Sequence, residues 1–162
     1  MPIPLAHLGL RARLLWRIVN LWPPFLGAGI QVQSIAPDGL TIKTRLALNF
    51  VNRNLVGTQF GGSLYALCDP FFMIILMQQL GPEYVVWDKA AIIHFLRPGR
   101  GPVSATFHIP SQTVSSLRAR ADAGEKIEPA FTVEVVDDAG QIVARVEKVL
   151  YIRKKSAQPK ET

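Results

Sequence analysis

One carboxylate stands inside the most apolar run of this 162-residue chain. The run is "FGGSLYALCDPFFMIILMQQLG", residues 60–81, and the acid is Asp69, followed directly by Pro70. A carboxylate taken from water without a partner is costly, so Asp69 is expected to be paired, protonated or put to chemical use. Its chemistry would be that of a general base or a nucleophile. Pro70 also has a purely structural reading. It cannot donate to the carbonyl of Ala66, and it disfavours helical backbone at Asp69. The helix is therefore expected to break here, with Asp69 capping its second half and Pro70 in the first helical position. The two readings are compatible, because a capping carboxylate at a kink can still present an oxygen to a cleft.

The residues before Asp69 supply possible partners. Gly61 and Gly62 open the helix, where free N–H groups favour negative charge and a missing side chain admits a ligand carbonyl. Close packing explains a bare Gly-Gly equally well. In the approach loop, Asn52, Asn54, Thr58 and Gln59 can donate to a carbonyl, although such residues also satisfy their own turns. Arg97 and Arg100, beside Pro98 and Gly99, could hold phosphates or form a solvated strand end. Cys68 lies in apolar surroundings that raise a thiol pKa, so it is expected to be a buried hydrophobe rather than a nucleophile. Ser63 in "GGSLY" is not in a nucleophile elbow. His7, His94 and His108 lie far apart without ligand spacing, so no metal is expected.

These groups must be positioned by a scaffold. Residues 9–22 have apolar positions at helical spacing, Leu10, Leu14, Leu15, Ile18 and Leu21, and Pro23-Pro24 is expected to end that amphipathic helix. "GIQVQSIAPDGLTIKTRLAL" predicts a β-hairpin turning at Pro37-Asp38-Gly39. Residues 60–80 are apolar on all sides and predict a buried helix stopped by Gly81-Pro82. "YVVWDKAAIIHFL" and "VSATFHI" predict strands. "SQTVSSLRARADAGE" predicts a short polar helix or an irregular excursion, with Ser111 or Thr113 as its cap. "AFTVEVV" and "QIVARVEKVLYIR" predict a hairpin closed by Asp137-Asp138-Ala139-Gly140. The sum is an α+β domain of about six mostly antiparallel strands around one long central helix. A sheet covers only one side of that helix, and a second subunit is the expected cover for the other.

Composition sets the outer limits. Apolar residues make up 49% and charged residues 19%, the balance of a soluble globular domain. The charge is +6, of which the last ten residues, with four basic and one acidic side chain, supply +3. No interleaving of aromatic and basic residues supports nucleic-acid binding. The single cysteine excludes an internal disulfide and suggests a reducing cytoplasm. "RARLLWRIVNLW" lacks the order of a secretory signal, and the polar residues Asp69, Gln78 and Gln79 argue against a membrane span at 60–81. The expected organisation is an N-terminal amphipathic helix over residues 1–24, one domain over 25–153, and a disordered basic tail over 154–162.

"NLVGTQFGGSLYALCD", Asn54 to Asp69, resembles the active-site segment of hotdog-fold acyl-CoA thioesterases of the phenylacetyl-CoA type. That pattern runs Asn, five residues, His-Gly-Gly, six residues, Asp. Asn54, Gly61, Gly62 and Asp69 fall in step with it, and "FLRPGRG", 95–101, resembles the same family's Phe-Leu-Arg-Pro strand end. Phe60 stands where the pattern has its histidine, and Pro70 after the aspartate is a second departure. The resemblance implies a hotdog fold over roughly residues 25–153. It also implies hydrolysis of an acyl-CoA thioester at a subunit interface, with coenzyme A entering as part of the substrate and no other cofactor. The Gly61 N–H would stabilise the oxyanion, Asp69 would activate water or attack directly, and Asn54 would orient the carbonyl or the water. Gly62, Phe60, Gln59, Thr58, Arg97 and Arg100 would contact substrate, with the acyl group near Phe60, Leu64, Phe72 or Trp87. Asp69 lies roughly 12 Å beyond Gly61 along a helix, so one helix cannot aim both groups at one carbonyl. The implied assembly is therefore a homodimer or tetramer, with two antiparallel helices. The alternatives are a non-catalytic hotdog module that binds acyl-CoA or lipid and a hydratase; the latter would need an Asp and His pair that is not evident here.

Overall fold

Alternating apolar and polar residues, cut by Gly and Asp turns, set the strands. The computed structural model describes Ile3–Pro4 and residues 19–155. Its strands are β1 (Ile3–Pro4), β2 (Ile30–Ile35), β3 (Thr41–Leu46), β4 (Tyr84–Phe95), β5 (Val103–His108), β6 (Ala130–Asp137) and β7 (Ile142–Lys154). Its helices are α1 (Pro23–Ala28), α2 (Gly61–Ala66), α3 (Phe71–Leu80) and α4 (Ser111–Asp122). The strands form one sheet in the order β1-β2-β3-β5-β6-β7-β4, with every pair antiparallel. Six of them match the expected strands, and the two-residue β1 adds a seventh on β2.

Local chemistry closes both hairpins. Asp38 Oδ1 accepts from the Leu40 N–H at 2.9 Å, and Gly39 takes φ 71°, which a side chain would disfavour. At the second turn, Asp137 Oδ1 accepts from Ala139 N–H at 3.0 Å and Gln141 N–H at 2.9 Å, and Gly140 takes φ 76°. Along β7 the inward positions Val146, Lys148, Leu150 and Ile152 are all sealed from solvent. A bulge between Asp88 and Ala90 shifts the phase of β4. Val86 and Asp88 share the inner face before it, and Ile93 packs on the core after it.

The central helix is two pieces. The backbone leaves the helix over Leu67–Pro70 and resumes at Phe71. The break lies where Pro70 predicts it, but the cap differs. Pro70 itself occupies the N-cap of α3, and no side chain caps that end. Asp69 precedes the cap, and its carboxylate goes to a buried ammonium instead. Leu67, Cys68, Phe71, Ile75 and Leu76 are buried among β-sheet residues such as Phe107, Val135 and Leu150. Phe71 and Phe72 both pack on Phe107, with ring centroids 4.9 and 5.2 Å apart.

Three further expectations change. Pro23 and Pro24 do not only stop a helix; they start α1, where their missing N–H groups are no loss. The amphipathic helix expected at 9–22 falls mainly outside the described residues, as does 156–162 of the basic tail. Residues 111–122 form a regular helix whose cap position is Pro110, so neither Ser111 nor Thr113 caps it. This chain also supplies cover for its own central helix. Arg118 of α4 donates to the Gln79 and Leu80 carbonyls at the end of α3, and Phe25 of α1 lies 5.9 Å from Phe71. The need for a second subunit therefore cannot rest on an uncovered helix alone.

Candidate active site

The break at Pro70 leaves the Asp69 carbonyl outside the helical ladder, and a lysine meets it there. Lys148 Nζ donates to the Asp69 carbonyl at 2.7 Å and to Asp69 Oδ1 at 2.9 Å. Asp88 Oδ1 lies 3.0 Å from the same ammonium, off its favoured hydrogen-bond directions. The Lys148 side chain is 0% exposed, while that of Asp69 is 47% exposed. The base candidate is thus anchored from below and open from above. The Tyr65 ring covers the cluster, 5.3 Å from Nζ.

The electrostatics follow from that packing. Burial alone would lower the Lys148 ammonium, but Asp69 and Asp88 outweigh it and hold the group above the ordinary lysine value. Burial pushes the Asp88 carboxyl up, and Lys148 reverses only part of that. Burial, assisted by Asp69, pushes the Tyr65 phenol up. The Cys68 thiol is fully buried and pushed up to about 12, chiefly by burial, which removes the thiolate needed for nucleophilic attack.

Neither Lys148 nor Asp88 was among the expected site residues. Strand alternation carries the signal for both. Lys148 takes an inward position between Val146 and Leu150, and Asp88 shares the phase of Val86. A charge in an inward phase must find a partner. Once the strands pair, the Lys148 ammonium meets both Asp88 and Asp69.

The second group of expected residues gathers elsewhere. Asn54, Thr58, Gln59, Gly61, Leu64, Phe95, Leu96, Arg97, Pro98 and Gly99 line a cavity of about 460 Å³. Asp69 does not line it. The Gly61 N–H has no acceptor in the described chain. Its Cα lies beneath Phe95, since a Cβ there would stand 3.1 Å from the Phe95 Cζ. Gly62 lies under Phe60, whose Cε1 would be 2.5 Å from an added Cβ. The space opened by the two glycines is therefore filled by aromatic rings, both more than half exposed.

The polar loop residues are largely committed to the loop. Asn54 Nδ2 donates to Thr58 Oγ1 at 2.9 Å and to the Gln59 carbonyl at 3.2 Å. Its Oδ1 accepts from the Val56 and Thr58 N–H groups. Both donors and both acceptor sites of the amide are used, so Asn54 shapes the loop and leaves nothing to orient a carbonyl or water. Gln59 Nε2 reaches the carbonyls of Leu46, Ala47 and Gly101 at 3.1–3.5 Å. Its Oε1 is buried without a hydrogen-bond partner among the described residues.

The two arginines separate. Arg97 donates to the Ile142 carbonyl and Asp137, each at 3.0 Å, and to Gln141. Its guanidinium ties the β4–β5 loop to the β6–β7 turn with three of its five N–H donors. Arg100 is exposed and makes no hydrogen bond within the described residues. It lines, with Arg97, Asp137 and Asp138, a second cavity of about 490 Å³. Of the expected acyl contacts, Leu64 lines the first cavity, while Phe72 is in the core, stacked on Phe131 at 5.0 Å. Trp87 is exposed on β4 and stacks on Tyr151. Among the described residues no cluster of His, Cys, Asp or Glu could hold a metal ion.

Comparison with known proteins places this geometry. Residues 11–152 match a family described as a domain of unknown function, DUF4442. No curated protein sequence matches the chain. Among solved structures, the chain is similar to PA5026 of Pseudomonas aeruginosa, named a probable thioesterase, with TM-score 0.78 and 18% identity over 92% of this chain and 99% of that one. It is also similar to the thioesterase HI1161 of Haemophilus influenzae, with TM-score 0.65 and 13% identity over 94% and 96% of the two chains. The E. coli PaaI protein, from the phenylacetic acid degradation operon, aligns with TM-score 0.61 and 18% identity over 86% and 89%. The sheet wrapped on a central helix is that of the hotdog fold.

Proposed function

We propose that this chain, which belongs to the DUF4442 family and has the hotdog fold, hydrolyses acyl-CoA thioesters. One observation carries the reading: the Asp69 carboxylate is held through Oδ1 by a buried ammonium, while the side chain stays half-exposed at a helix break. That is a fixed and accessible proton acceptor. Water attacks the thioester carbonyl carbon, and Asp69 takes its proton. The Gly61 N–H stabilises the oxyanion. The C–S bond then breaks, and the proton passes to the departing sulfur, leaving a carboxylic acid and free coenzyme A. Opening the oxyanion position requires the Phe95 ring over Gly61 to turn aside.

A second copy completes the site. Within one protomer Asp69 and the Gly61 cavity lie apart. Both border β4: Asp69 through Lys148 and Asp88 near its start, and Gly61 under Phe95 at its end. These two positions are seven residues apart, roughly 23 Å of strand. β4 closes one side of the sheet with no strand beyond it among the described residues, and it exposes Trp87, Ile92 and Phe95. Such an edge favours pairing with a second chain. Two β4 strands running antiparallel about Ala91–Ile92 would set the Asp88 end of one against the Phe95 end of the other. Asp69 of one protomer then faces Gly61 of its partner. The single cysteine and a coenzyme A substrate both fit a cytoplasmic setting.

Activity against a panel of acyl-CoA substrates, together with native mass, tests this reading. The expected result is a dimer or tetramer that turns over at least one substrate, and a loss of about 10²–10⁴-fold in Asp69→Ala. A monomer with full activity, or turnover untouched by the substitution, rejects it. The rings of Phe60 and Phe95 over the two glycines favour a second reading, a module that binds acyl-CoA without cleaving it. Tight binding of every substrate with no turnover would select that one.

A further inference from the structure

We propose, resting on the hydrolase reading above, that Lys148 is the positioning residue of the Asp69 base, and that Asp88 shares the ammonium so that the cluster keeps one net negative charge. The argument starts from geometry. Lys148 sits in the middle of β7, between Ala91 of β4 and Phe131 of β6. Its neighbours at the same phase, Val146 and Leu150, show that an aliphatic side chain satisfies such a position. A buried ammonium there is costly, and its contacts show where it acts. It grips Asp69 twice, at the main-chain carbonyl and at Oδ1, which fixes both the kink and the carboxylate torsion. Oδ2 accepts from no donor within the hydrogen-bond limits among the described residues, though the Tyr65 phenol lies beside the carboxylate, and it is the oxygen left for a proton from water.

The charge count gives Asp88 its part. A lone Asp69–Lys148 pair would be neutral, and the ammonium would draw on the carboxylate that has to accept the proton. Asp88 Oδ1 lies 3.0 Å from the same ammonium. One cation and two anions leave the cluster at −1. Among the described residues the other neighbours, the Tyr65 side chain and the buried Cys68 thiol, bring no compensating cation.

The test uses the full chain with Lys148→Met, Asp88→Asn and the double variant. Lys148→Met leaves Asp88 half-buried and unpaired and can fail to fold. The double variant leaves neither the buried ammonium nor the Asp88 charge, so it keeps the question open to measurement. The readouts are kcat and KM per folded molecule on the best acyl-CoA substrate, and the ¹H–¹⁵N signal of the Lys148 ammonium. Expected are a kcat lowered about 100-fold in the double variant, with KM nearly unchanged, and a loss on adding Asp69→Ala about 100-fold smaller than the same substitution causes in the native chain. Asp88→Asn lowers kcat less and leaves KM alone. A hydrogen-bonded ammonium signal should be seen at neutral pH and should move in Asp69→Asn. A residue that only stabilises the fold would lower the melting temperature without this split between kcat and KM. A native enzyme that is active, beside a double variant whose kcat is within about threefold of it, overturns the positioning role and leaves the hydrolase reading standing. An inactive native chain removes the hydrolase reading first. An ammonium signal that ignores Asp69→Asn overturns the proposed contact in either case.

Discussion

Two glycines in one short loop give a sharp test of how the cavity wall is built. Gly99 and Gly101 both follow Pro98, and neither has positive φ, so alanine is tolerated by the backbone at both. Only space separates them. A Cβ at Gly99 would stand 2.9 Å from the Gln59 Cγ, and 3.3 Å from both the Gln59 Cβ and the Val143 Cγ1. At Gly101 nothing lies within 4 Å. Gln59 cannot swing away easily. Its N–H bonds the Gly99 carbonyl at 2.9 Å, and its amide is tied to three carbonyls. Gly99→Ala should therefore cost about 1–3 kcal/mol by overpacking. At about 2–4 °C per kcal/mol for a chain of this size, the melting temperature should fall by about 2–12 °C. Gly101→Ala should stay within about 0.5 kcal/mol of the native chain. Urea unfolding followed by circular dichroism reads both, provided the m-value is unchanged. Displacing Gln59 also moves one wall of the 460 Å³ cavity, so the acyl-CoA KM should rise in Gly99→Ala alone. Equal stability of the two variants would refute the claim that Gln59 is locked against this loop.

The arginines should behave differently. Arg100→Ala should raise the KM for acyl-CoA with little change in melting temperature, whereas Arg97→Ala, which loses the Asp137, Gln141 and Ile142 contacts, should cost about 1–2 kcal/mol in thermal unfolding. The Cys68 thiol should resist a disulfide exchange reagent at neutral pH in the folded chain and react once urea unfolds it, because burial pushes it up to about 12. Lys148 has its folded pKa raised above the ordinary 10.5. Its contribution to stability is thus complete below that value and is lost as pH rises through the folded pKa. Urea unfolding across the alkaline range should show this decline, and Lys148→Met/Asp88→Asn should lack it.

Much of the scaffold is legible in the residues themselves. Period-two alternation marks the six long strands, and Asp38-Gly39 and Asp137 to Gly140 mark the hairpins that join four of them. Pro70 marks the helix break, because a missing N–H acts within its own turn whatever surrounds it. The spacing of Asn54, Gly61, Gly62 and Asp69 marks the region of interest for the same reason: it is local. Partner choice is not local. Asp69 meets Lys148 across 79 residues and turns away from the helix end it was expected to cap. Arg97 meets Asp137 across 40 residues, a tie that nothing in its own segment foretells. Phe95 comes to rest over Gly61 because β4 ends there, and no pattern within either segment foretells that contact. α4 covers part of the helix that sequence alone assigns to a second subunit. A sequence determines which groups cannot be left unpaired, since that cost belongs to the residue. Which group pairs with which is decided by the register and layering of the strands, since contact energies act only over a few ångströms, and the fold alone brings distant residues that close.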